Sequence, residues 1–65
     1  MKIIVTEQKN ENNLVINHLC QMVQEYTEPD GFVTQQIIEV KNYRYITGVR
    51  KYFEASDANY IIFKN

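Results

Sequence analysis

The sequence predicts a single small α+β domain, and three observations predict it. Two short runs of β-branched and aromatic residues, KIIVT at residues 2–6 and YIIF at residues 60–63, lie near its ends and read as strands. Between them, apolar residues recur at helical spacing in residues 14–26 and again in 43–53. A strong turn signal, Glu28-Pro29-Asp30-Gly31, contains the only proline and divides the chain near its middle. The expected order is strand, helix, helix, turn, helix, strand.

Each element has its own justification. After the first strand comes a polar turn region, residues 7–13, in which Asn12 or Asn13 is placed to cap a helix by accepting a free backbone N–H. The first expected helix then carries Ile16, Leu19, Cys20, Val23 and Tyr26 on one stripe, widened by Leu14, Val15 and Met22. A helix apolar over so much of its girth is central or packs a partner chain. A homodimer is therefore expected, with Val15, Leu19, Met22 and Tyr26 at its interface. Pro29 disfavours helical geometry at Glu28 and should end this helix by Thr27.

The stretch after the turn admits two readings. In the first, Thr34 caps a short helix over residues 34–41 with Ile37, Ile38 and Val40 as its apolar side. Asn42-Tyr43-Arg44 then turns the chain into an amphipathic helix whose inner residues are Tyr45, Ile46, Val49, Tyr52 and Phe53. In the second, residues 32–40 and 43–49 are strands, because Phe, Val, Thr, Ile and Tyr favour them. That alternative gives a β-α-β-β-β order with one helix on a small antiparallel sheet. Its weakness is the Lys-Asn connection, which is not a favoured two-residue loop. Residues 56–59 read as a turn before the closing strand, which can pair with the first.

Composition removes several function classes. A chain of 65 residues is one domain with a modest core. Its single cysteine, Cys20, cannot form an internal disulfide, and one histidine with one cysteine cannot make a four-ligand zinc site. No cofactor is expected. His18 and Cys20 sit two apart, which on a helix separates them, so a nucleophile pair is disfavoured and no enzyme is expected. Glu25, Glu28 and Asp30 lack the spacing of a calcium loop and read as a solvated acidic rim. With Gly31 and Gly48 the only glycines, there is no phosphate loop. No apolar run is long enough to span a membrane, and the apolar part of residues 1–11 is too short for a secretory signal. Together with low cysteine use, this leads us to expect a cytoplasmic protein without membrane contact.

Charge is divided unevenly. The net value is -1. Residues 1–31 hold two bases and five acids, whereas residues 32–65 hold five bases and three acids. Four bases, Lys41, Arg44, Arg50 and Lys51, fall within residues 41–51 with no acid among them. One cationic face on a near-neutral protein can still engage an anion.

The segment VTQQIIEVKNYRYITGVRKYF, with a short helix turned into a basic amphipathic one and a strand beyond, resembles a reduced winged helix-turn-helix domain over about half the chain. The usual small residue of the positioning helix and glycine of the turn are replaced by Ile38, Glu39 and Asn42. The resemblance implies a small transcription regulator that binds double-stranded DNA. Asn42 and Arg44 would then read base edges, Thr47 a base edge or thymine methyl, and Gly48 would allow close approach of the backbone. Arg50 and Lys51 would contact phosphates. The alternative is a protein-binding inhibitor or accessory factor, of the size that phages and mobile elements encode, docking on a larger protein.

Overall fold

A computed structural model describes residues 1–64. Its order is β1 (Lys2–Lys9), β2 (Val15–Thr27), β3 (Val33–Tyr43), α1 (Ile46–Ala55) and β4 (Tyr60–Lys64). These four strands form one mixed sheet in the order β3-β2-β1-β4, with β1 antiparallel to β2 and parallel to β4. The α+β class is as expected, and so is the pairing of the two terminal strands. The expected helices over 14–26 and 34–41 are instead β2 and β3. Neither expected order holds, since the second reading also placed a helix at 14–26. That reading did foresee a strand near 32–40, but its strand over 43–49 gives way to α1.

β2 misleads because it is central. It pairs with β1 from Val15 to Val23 and with β3 from His18 to Thr27. Flanked by a strand on each edge, it carries apolar residues on both faces, so strict alternation is lost and a helical stripe can be read into it. Cys20 and Met22 lie on one face, Leu19 and Val23 on the other. The non-local pairings outweigh the local periodicity.

Two hairpin turns of similar construction join β1, β2 and β3. In the first, Asn13 sits at φ 63, its N–H donates to Asn10 O at 3.0 Å, and Asn10 Oδ1 accepts from the N–H groups of Asn12 and Leu14. Asparagine tolerates this left-handed geometry, so Asn12 and Asn13 close a hairpin and do not cap a helix. In the second, Pro29 follows Glu28, Gly31 takes φ 92, and Glu28 N–H donates to Phe32 O at 2.8 Å. A turn closed by a residue at positive φ is a favoured hairpin connection.

The core lies between the sheet and α1. Ile3, Val5, Cys20 and Val49 are fully buried, and Met22 nearly so. Tyr43, Tyr52, Phe53 and Ile61 pack around them. The helix has no side-chain N-cap, no acid in its first turn and no base in its last. Packing therefore holds it, not capping or dipole complementarity. Its C-terminus is closed by Ser56, whose N–H and Oγ both donate to Phe53 O.

Candidate functional site

The two central strands and α1 explain where each expected DNA-contacting residue falls. On α1, Thr47, Arg50 and Lys51 are exposed, as expected. Glu54 is exposed too, and it follows Arg50 by four residues and Lys51 by three, the spacings that share a helix face. The cationic face therefore contains an acid, which a reading that stopped at residue 53 missed. Arg44 lies before the helix with its guanidinium 5.6 Å from the Tyr45 ring centroid. Asn42 stands apart from all of these. It is opposite Leu19, on the sheet face away from α1, and its Oδ1 accepts from Asn17 Nδ2 at 3.1 Å. Asn17 Nδ2 also donates to Gln8 Oε1 at 3.2 Å, which makes an amide ladder across three strands.

Gly48 does not face outward. A Cβ built on it would lie 2.7 Å from Tyr43 Cδ1 and 3.2 Å from Tyr43 Cβ. The glycine is there so that α1 can approach the Tyr43 ring, and a nucleic-acid backbone would not meet it. Tyr43 in turn stacks obliquely on Tyr52, with centroids 5.5 Å apart. With β3 in place of a positioning helix, α1 also has no helix before it.

The expected dimer stripe dissolves for the same reason as the helix. Leu19 points to the sheet face without α1, while Met22 and Tyr26 point to the other, and the bulge that pairs Val15 with Lys9 separates Val15 from Leu19. Met22 is 5% exposed and belongs to the core of its own chain. His18 and Cys20, separated on a helix, share a face on the strand. His18 Nδ1 lies 3.1 Å from Tyr43 O, and Cys20 is fully buried. Burial pushes the Cys20 thiol up from its ordinary pKa, away from the thiolate that nucleophilic chemistry needs. Among the described residues no group of three or more metal-ligating side chains comes together.

What sequence reasoning missed is the outer edge of the sheet. β3 is an edge strand of eleven residues, and its positions from Val33 to Asn42 are all exposed. Val33, Ile37, Ile38 and Val40 are each 46% or more exposed. The register slips between Met22 and Val23, so that Ile38 is an extra residue on β3. Such a bulge turns a side chain out of its regular alternation. Here Ile38 and Glu39 both border an open pocket of about 340 Å³ beneath the C-terminal end of α1. Met22, Tyr52 and Ala55 form other walls, and Asp57 stands at the rim. The Tyr52 hydroxyl donates to Glu39 Oε1 at 2.7 Å. Burial first, and then this hydrogen bond, hold the phenol well above the usual tyrosine range. The β-branched and aromatic residues Val33, Thr34, Ile37, Ile38, Val40 and Tyr43 were the available signal for the strand, but Gln35, Gln36 and the bulge at Ile38 leave no clean alternation.

Beyond the last β1 pairing, at Val23, β2 and β3 continue as a two-stranded arm. The arm exposes Tyr26, Phe32 and Val33 and carries Glu25, Glu28 and Asp30. Glu25 is tied back to β1 by a 2.9 Å ion pair with Lys2. No helix among the described residues is long and apolar enough to cross a membrane. No protein-family model matches the chain, and neither a curated protein nor a solved structure matches it.

Proposed function

We propose that this protein is a binding factor, not an enzyme, and that it docks on a larger protein by adding a strand of that partner to its β3 edge. The observation that carries this reading is β3 itself: an edge strand of eleven residues, exposed along its length and apolar at Val33, Ile37, Ile38 and Val40. An unpaired edge of this kind is a template for another strand, and proteins that are meant to stay alone blunt it. The bulge at Ile38 blunts it only locally.

Shape supports the same reading. The radius of gyration is 13.6 Å, against about 11 Å for a compact chain of this length. The accessible surface is 4929 Å², against roughly 4,300 Å² for a monomer of this mass. The excess approaches the area that one partner contributes to a standard interface. A two-stranded arm is marginal by itself, and a partner strand along β3 would support it. A buried free cysteine suits a reducing compartment, so we place the protein in the cytoplasm.

The test is site-directed photocrosslinking in the native host. A crosslinker at Val40 or Phe32 should trap one dominant partner, and the double variant I37K/V40K should lose it. Adducts no different from those at the exposed Lys9 would refute the reading.

One observation favours a second reading. Lys41, Arg44, Arg50 and Lys51 are exposed, and the one ion pair among the described residues involves none of them. Free cations of this kind suit phosphate contacts. Under this reading, duplex DNA binding falls steeply with salt, and replacing Arg50 and Lys51 by alanine weakens it for every sequence. Anisotropy that does not change with added duplex at low salt would remove this reading.

A further inference from the structure

Resting on the strand-addition reading, we infer that the pocket beside β3 takes the basic side chain, arginine above all, of the partner segment that pairs with that edge. Position comes first. The pocket opens where Ile38 and Glu39 leave the regular alternation of β3, so it adjoins the backbone edge at which a partner strand would lie. A strand laid there presents every second side chain to this face of the sheet. At about 340 Å³ the pocket is at the small end of ligand sites, a size for one long side chain and not for a cofactor.

Chemistry then selects the side chain. The walls formed by Met22, Ile38 and Ala55 suit an aliphatic stem. Two carboxylates, Glu39 and Asp57, stand at the same pocket. Tyr52 occupies Glu39 Oε1, and Oε2 carries no hydrogen bond among the described residues. Asp57 likewise has no ion pair or side-chain hydrogen bond among them. The C-terminal end of α1 contributes at Ala55, and no basic residue in its last turn offsets the partial negative charge there. Of the residues lining the pocket, only Met1 brings a cation, its α-amino group, which donates to Asn59 Oδ1 at 2.9 Å; Lys41, on the same sheet face as Glu39, lies outside that lining. The balance at the pocket is negative. An acid on the incoming strand is repelled, an apolar side chain leaves the carboxylates unused, and a guanidinium offers paired donors to a carboxylate while its stem covers the apolar walls.

The experiment is an NMR titration of the whole protein with a nine-residue peptide of alternating threonine and valine. Its central residue is arginine, norleucine or glutamate in three separate versions. The arginine peptide is expected to shift the amides of β3 together with those of Ala55, Ser56 and Asp57, and to bind about tenfold tighter than the norleucine peptide, the value of one charge-assisted hydrogen bond. E39Q combined with D57N should abolish that preference without changing the norleucine affinity. D57N alone, at an exposed position, should lower the preference in a protein whose spectrum shows an unchanged fold. Equal affinities with shifts confined to β3 would overturn the pocket assignment and leave strand addition standing. No shifts with any peptide would overturn both. A stable homodimer in sedimentation, with β3 amides protected from exchange, would also overturn the inference, because a second copy would then occupy the edge.

Discussion

Replacing Gly48 by alanine tests the packing of α1 most directly, because two known effects compete there with opposite sign. In the interior of an exposed helix, alanine is favoured over glycine by about 1 kcal/mol. If Gly48 lay on an outward face, the variant would be more stable by that amount. Here the new methyl would lie 2.7 Å from Tyr43 Cδ1 and 3.2 Å from Tyr43 Cβ. Neither atom is at the free end of a flexible chain, since Tyr43 is anchored at the end of β3 and leans on Tyr52. Overpacking of this kind costs roughly 1–3 kcal/mol. The packing term wins, and the expected result is a net loss of about 1 kcal/mol, or about 5 °C in Tm for a domain of this size. The assay is urea unfolding followed by circular dichroism, with T47A as the control for propensity at an exposed position of the same helix. T47A should be neutral or mildly stabilising. In a Y43A background the ring is gone, and G48A should change sign and become stabilising. A stabilising G48A in the native background would refute the packing of α1 against Tyr43.

Three further outcomes follow from the same geometry. The Tyr52 phenol has its pKa raised in the fold, so the stability it contributes is present below the ordinary tyrosine value, about 10, and is lost as pH rises above it; ultraviolet titration should show a tyrosine ionising above the others, absent in Y52F. Glu25 is held below its ordinary pKa by its hydrogen bond to Lys2, so its contribution is present above pH of about 4.3 and disappears as pH falls through the folded value; E25Q should flatten the acid limb of the stability profile, and an unchanged limb would remove the pair from the account. Gly31 sits at φ 92 with open space around it, so G31A should cost about 1–2 kcal/mol through backbone strain alone; thermal unfolding of G31A indistinguishable from the native chain would show that the turn relaxes.

The elements that could be read from the sequence are those whose stabilisation is local or doubly signalled. KIIVT and YIIF are short, β-branched and flanked by polar turns, and they became adjacent strands. α1 could be read because Val49, Tyr52 and Phe53 give it one inner face that no strand alternation matches. Pro29 and Gly31 marked a true turn, although what it joins is two strands. β2 and β3 were illegible for a physical reason. Their stability comes from pairing across the sheet, and a central strand with apolar residues on both faces satisfies a helical period as well as a strand period. The site suffered a similar loss. Exposed cations on α1 could be found from spacing, but Gly48 and Asn42 were assigned to a surface from which the fold withdraws them, one against Tyr43 and the other to the opposite face of the sheet.

The bulge at Ile38 connects the misreading of β3 to the function proposed for it. A regular strand from Val33 to Tyr43 would send residues 37 and 39 to one face and 38 and 40 to the other. With one extra residue, Ile37 and Val40 face the side without α1, while Ile38 and Glu39 both turn toward α1. The apolar spacing 37, 38, 40 therefore satisfies neither period cleanly, which is why a short helix could be drawn through it. The same slip carries a carboxylate and an apolar wall to the pocket beside Tyr52 and leaves an apolar pair on the opposite face. A partner strand on β3 would thus meet Ile37 and Val40 on one side and the negative pocket on the other. Two different surfaces at one edge give a basis for selecting both the register and the side chains of what binds there, which an unbroken strand would not provide.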